Sequence, residues 1–170
     1  MDKAAILVED QYQVLEVWYP YLRLREEGIE TVLVGTGAKV EYKSKEGYLA
    51  KEELSIKKAD ADDFIAVVIP GGYAPDILRR CKEVNDFVRD MYAKGKAVAA
   101  ICHGGWVLIS AGILKGKKVT SFFAIKDDMV NAGAQFLDKE VVVDGNLITS
   151  RNPYDLPAFC REILKKIRGK

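Results

Sequence analysis

Four short apolar runs, AAILV (4–8), TVLV (31–34), FIAVVIP (64–70) and AVAAI (97–101), alternate with stretches whose apolar residues recur at helical spacing. A strand that is apolar at consecutive positions is buried on both faces, as in a parallel sheet covered by helices. Helices are expected between the strands. One runs over 14–26 on Val14, Val17, Trp18, Tyr21 and Leu22, with Pro20 as a kink or second start and Gly28 as its C-terminal cap. Others are built on Val84, Phe87, Val88 and Met91, on Trp106, Leu108 and Ile109, over 126–132, and on Leu156, Phe159, Cys160, Ile163 and Ile167. Residues 39–56 read as a hairpin excursion around Gly47, residues 119–121 as a fifth short strand, and residues 140–150 as a hairpin about Asp144-Gly145-Asn146. The sum is one α/β domain over 1–170, a mostly parallel sheet with helices on both faces.

Composition narrows the function classes. Lys plus Arg is 26 and Asp plus Glu is 25, so a net charge of only +1 does not draw the chain to nucleic acid or anionic lipid. The basic end, 165–170, reads as a solvated helix terminus. The opening Met1-Asp2-Lys3 leads into an apolar run stopped by Glu9 and Asp10, so neither a secretory signal nor a membrane span is expected. Three cysteines, Cys81, Cys102 and Cys160, lie far apart with no CxxC pair, which suits reduced thiols in the cytoplasm. One histidine and scattered cysteines do not make a tetrahedral zinc site, and no metal or cofactor is expected. The Gly35–Gly37 segment lacks the third glycine and the following helix of a dinucleotide fingerprint. Asp127-Asp128 reads as decoration of a helix's first turn.

In open α/β sheets, sites form beyond the C-terminal ends of the strands. Residues 9–13, 71–76 and 102–103 fall there. AVAAI runs straight into GGWVLIS with only Cys102 and His103 between, which puts the thiol on a sharp turn at a helix start. Partial positive charge there favours the thiolate. Gly104 and Gly105 let the turn be tight. Cys81 and Cys160 read as core thiols. His103 reads as a base, as an imidazole that orients another group, or as a residue whose amide matters more than its ring. The amides of Gly71-Gly72 and His103 are candidates for an oxyanion hole. Asp76 either caps a helix or orients a histidine.

WYPYLRLREEG (18–28), VVIPGGYAPD (67–76), AAICHGGWVLISAGILKGKKVTS (99–121), IKDDMVNAGA (125–134) and EVVVDGNLITSRNPYDL (140–156) resemble, in order, the PfpI intracellular-protease family (ThiJ/PfpI) of the class I glutamine amidotransferase-like superfamily. The resemblance implies a flavodoxin-like three-layer sandwich with Cys102 as nucleophile on its elbow. It implies oxyanion donors at Gly72 and His103, and His103 paired with an acid at Asp76 from a neighbouring subunit. The site would then straddle the interface of a homo-oligomer, a dimer or hexamer. Activities in the family are peptidase, glyoxalase III-like conversion of methylglyoxal to lactate, and a contested deglycase activity, so the implied partner is a small-molecule or peptide substrate. Some relatives are instead oxidation sensors or holdase chaperones, with Cys102 oxidised rather than turning over.

Three departures modify this expectation. Aligning on Tyr19-Pro20-Tyr21 puts Gln13 where the family places a glutamate against the thiolate, and an amide cannot shuttle a proton. Glu16 lies one helical turn on and can face the same side. Phe122 replaces a tyrosine, and CHGGW replaces a CHGPQ-like run, which brings Trp106 to the pocket wall. Together they predict altered or reduced activity on an intact scaffold.

Overall fold

A computed structural model describes residues 2–169; Met1 of the opening stretch and Lys170 of the basic end lie outside the described residues. The strands are β1 (Lys3–Val8), β2 (Glu30–Gly35), β3 (Glu41–Lys43), β4 (Leu49–Lys51), β5 (Leu54–Ser55), β6 (Ala66–Ile69), β7 (Ala97–Ile101), β8 (Lys118–Val119), β9 (Gln135–Phe136), β10 (Val141–Asp144) and β11 (Leu147–Ser150). The helices are α1 (Val14–Glu26), α2 (Ala74–Leu78), α3 (Lys82–Ala93), α4 (Gly105–Ala111), α5 (Lys126–Asn131) and α6 (Leu156–Ile167).

Seven strands form one sheet in the order β10-β11-β7-β6-β1-β2-β5. Only the β10–β11 edge is antiparallel. Every residue of β6 and β7 is buried, as strands covered on both faces require. Helices α1 and α6 pack together against one face, and α3 and α4 against the other. The chain winds outward from β1 through β2 to β5, then returns to β6 on the other side of β1 and continues through β7 to β11. The winding reverses between β1 and β6, and a crevice opens there beyond the carboxyl ends of the strands.

Several expectations are refined. Helix α1 runs unbroken through Pro20, so there is no second start; the ring removes only the bond to the Glu16 carbonyl. Gly28, at φ +80°, follows the α1 cap Glu27 in the left-handed conformation. The expected fifth strand of the sheet is instead β8, which pairs with β9 in a separate two-stranded ribbon. The 39–56 excursion is the β3–β4 hairpin, followed by β5 on the sheet edge. Among the described residues, no helix is long and apolar enough to cross a membrane.

Candidate active site

The three strand ends meet at Cys102. β7 delivers it into a short 3-10 turn, Cys102–Gly104, that leads directly into α4. Its φ is +60°, the left-handed region that costs a residue with a Cβ about 1–2 kcal/mol. Such strain persists only where the surroundings over-determine it, and it is common at functional sites. A Cβ on Gly104 would sit 2.5 Å from the Ile69 carbonyl oxygen, so the turn is drawn tightly onto the end of β6.

β6 ends in Pro70 and Gly71-Gly72, which bridge to the segment entering α1: Gln13 N–H donates to the Gly71 carbonyl (3.3 Å) and Tyr73 N–H to the Gln11 carbonyl (2.8 Å). The amides of Gly72 and His103 lie beside the Cys102 sulfur and act to lower its pKa. Two amide donors beside the reacting atom are the candidates for an oxyanion hole.

Glu16 is fully buried beside them. Its Oε2 accepts from the Gly71 amide at 2.6 Å. Among the described residues its Oε1 has no hydrogen-bond partner, and the charge of the carboxyl reaches the Cys102 thiol. A Cβ on Gly71 would stand 2.5 Å from Glu16 Oε2 and 2.9 Å from Cys102 Sγ, so glycine keeps the acid and the thiol together. Burial holds the Glu16 carboxyl up at about 7, against an ordinary 4.5. Burial, then the Glu16 charge, push the Cys102 thiol up to about 12, opposed by the two amides. This corrects the expectation that the helix start favours a thiolate: desolvation outweighs one short turn of aligned amides.

The sequence pattern of the DJ-1/PfpI family matches residues 2–166. The chain belongs to the DJ-1/PfpI family. It is 45% identical over 166 residues to a protein of Pyrococcus furiosus named Deglycase PfpI, covering 98% of this chain and 99% of that one. It is 42% identical over 166 residues to the Putative cysteine protease YraA of Bacillus subtilis, covering 98% of both. A two-domain protein of Anabaena variabilis, with DJ-1/ThiJ/PfpI-like and ferritin-like domains, superimposes with a TM-score of 0.97 at 44% identity. That match covers 99% of this chain, which spans about half (48%) of the two-domain chain. The fold is the flavodoxin-like sandwich of this family.

Within this DJ-1/PfpI site, Glu16 and not Gln13 is the acid at the thiol. Gln13 is the N-cap of α1, where its Oε1 accepts from Glu16 N–H at 3.0 Å. The residue beside the thiol is therefore a carboxyl and not an amide. His103 places Nδ1 3.2 Å from Cys102 Sγ, a contact that adjacency in sequence did not assure. Burial and the Lys45 charge lower the His103 pKa, which keeps the ring neutral and able to accept a proton. The ring stacks on Phe122 at 5.1 Å and meets Trp106 edge-on at 5.2 Å.

Phe122 lines the cavity above the thiol, which holds about 390 Å³. Trp106 does not. It donates to Asp128 Oδ2 at 2.8 Å and faces an adjoining hollow with Arg79 and Ile109, which corrects its expected place on the pocket wall. Asp128 thus carries more than helix decoration. Asp76 sits in the first turn of α2, half-exposed and ion-paired to Arg80, and within this chain it does not touch His103. Cys81 is partly exposed against Glu83, whereas Cys160 is core, and all three thiols are free.

Lys45, Tyr73, Asn152 and Pro153 complete the cavity and were missed. Asn152-Pro153 follows β11 and carries an N-cap and proline signal, so the strand-end rule applied to β11 would have found it. Lys45 sits on a hairpin that no local pattern aims at the thiol.

The raised Glu16 pKa has a sign in stability. Between pH 4.5 and about 7 the folded protein keeps a proton that the unfolded chain has released, so stability falls as pH rises through that window. The full loss is about 3 kcal/mol. Urea unfolding at several pH values is expected to show this decline in the wild type and not in Glu16→Gln; parallel curves would show that Glu16 titrates normally.

Proposed function

We propose that this chain is a cysteine-nucleophile enzyme acting on small carbonyl or amide substrates, by glyoxalase III-like or peptidase/amidase chemistry. The observation that carries the reading is the convergence of Cys102 at φ +60°, the buried Glu16 carboxyl, Gly72 and His103 on one cavity of about 390 Å³. The thiol proton passes to the Glu16 carboxylate, whose pKa near 7 suits proton transfer at neutral pH. The sulfur then forms a bond to the carbonyl carbon, and the Gly72 and His103 amides hold the resulting oxyanion. Glu16 returns the proton to oxygen or to a leaving amine. His103 Nδ1 orients the thiol. In a homo-oligomer the half-exposed Asp76 of a second copy supplies the carboxylate that the His103 ring lacks within its own chain. We place the protein in the cytoplasm, with its thiols reduced and no metal or cofactor required.

The relatives' names, deglycase and putative cysteine protease, support carbonyl or amide chemistry at this thiol. The test is conversion of methylglyoxal to lactate, and hydrolysis of small amides, before and after stoichiometric alkylation of Cys102 mapped by mass spectrometry. Modification of Cys102 alone is expected to stop turnover. Turnover that survives it refutes the reading.

A second reading is favoured by one observation, the unpartnered Glu16 Oε1 beside the sulfur. Protonated, it donates to a sulfinate oxygen and holds Cys102 as an oxidation sensor. Mild peroxide followed by mass spectrometry separates the two: a protein with no methylglyoxal or amide turnover that accumulates Cys102 sulfinate fits the sensor.

A further inference from the structure

Besides Cys102, Glu16 and His103, the cavity is lined by residues that carry hydrogen-bond donors. Lys45 lies in the β3–β4 turn, which is held rigidly: its own amide donates to the Tyr12 carbonyl (3.0 Å), and Ser44 Oγ accepts from the amides of Glu46 (3.2 Å) and Tyr48 (3.0 Å). The ammonium's nearest carboxylate, Glu46 Oε1, is 3.9 Å away, and the other Glu46 oxygen accepts from Val14 N–H at 3.1 Å. Lys45 is thus loosely paired, and its charge reaches both Glu16 and His103. Asn152 approaches from the end of β11. Its Oδ1 already accepts from Tyr154 N–H at 3.0 Å, which leaves its NH2 group. Gln13 is placed likewise, its Oε1 engaged by Glu16 N–H and its NH2 left over. All three residues line the cavity. Two carboxamides with their acceptors occupied and one cation favour a carboxylate and disfavour a second cation.

We propose that Lys45 and Asn152, with Gln13, form a carboxylate-recognising wall that selects small carbonyl or amide compounds carrying a carboxylate for attack by Cys102. The proposal rests on the enzymatic reading for its substrate class, but the wall itself is testable without turnover. Among the titratable groups near Lys45, Glu16 and His103 lie inside the cavity, Glu46 lies beside the ammonium, and Asp128 is held beyond Trp106 by the indole N–H.

Iodoacetate and iodoacetamide attack the same sulfur with the same leaving group and nearly the same size, and they differ in charge. Their rate ratio at Cys102, measured by mass spectrometry at low salt, reads the wall. Lys45→Met is expected to lower the iodoacetate-to-iodoacetamide ratio about tenfold, as loss of a unit charge several ångströms away implies. Lys45→Arg should hold the ratio within about twofold of wild type, because the charge is kept. Asn152→Asp keeps the cap acceptor but replaces the donor with a negative charge, and should also lower the ratio. An unchanged ratio in Lys45→Met overturns the proposal, as does an equal fall in Lys45→Met and Lys45→Arg. Absence of methylglyoxal or amide turnover, with the ratio behaving as expected, overturns the enzymatic reading and leaves the wall standing.

Discussion

Glu16→Gln is expected to lower turnover about 10²–10⁴-fold, the usual worth of a positioned general acid–base, while leaving the protein folded. The amide oxygen of glutamine still accepts from Gly71 N–H, which the carboxylate holds at 2.6 Å, so the buried Gly71 donor keeps its partner. What disappears is the proton acceptor beside the thiol. Cys102→Ala is expected to fall to background. Since both changes remove the same step, the double variant should be no worse than Cys102→Ala alone. Moving the carboxyl one turn back, with Gln13→Glu in the Glu16→Gln background, is not expected to restore turnover, because position 13 caps α1 rather than facing the sulfur. Steady-state kinetics on methylglyoxal and on a small amide provide the readout. Rescue by Gln13→Glu would return the acid's role to position 13.

Gly72→Ala is expected to destabilise the fold by about 3 kcal/mol, roughly the sum of a left-handed backbone penalty and an overpacking cost. Gly72 has φ +73°, and a Cβ there would stand 2.6 Å from the Gln13 nitrogen and 2.8 Å from the Tyr12 carbonyl carbon, with the Gln11 carbonyl oxygen closer still. These are backbone atoms, tied by the Tyr12–Gly72 bridge, and they cannot swing aside as a side chain would. Gly28→Ala is the control. It has φ +80° but nothing within 4 Å of the added carbon, so it should cost only about 1 kcal/mol. Urea denaturation of both variants separates backbone strain from the clash; equal losses would show that the close approach at Gly72 relaxes freely.

The apolar runs at 4–8, 31–34, 64–70 and 97–101 were sufficient to place the main parallel strands, because strands buried on both faces need consecutive apolar residues. The elbow was equally legible. A strand that meets a helix across Cys102, His103 and Gly104 leaves the thiol nowhere but on the turn. The edges were less so: β8 and β9 are two residues each, and their pairing with one another is a long-range choice that local pattern does not record.

By itself, then, the sequence determined a helix-covered parallel sheet, the nucleophile position and the glycines that let neighbouring chain approach it. The tertiary structure alone decided which residues serve that nucleophile. Gln13 and Glu16 lie three positions apart on one helix start, and only the docking of α1 against the ends of β6 and β7 turns Gln13 to cap the helix and buries Glu16 on the thiol. Long-range packing likewise brings Lys45 from the β3–β4 hairpin and Asn152 from beyond β11 to the same cavity. Side-chain direction and desolvation arise from packing between distant segments, and these two quantities set the proton affinities of Glu16 and Cys102.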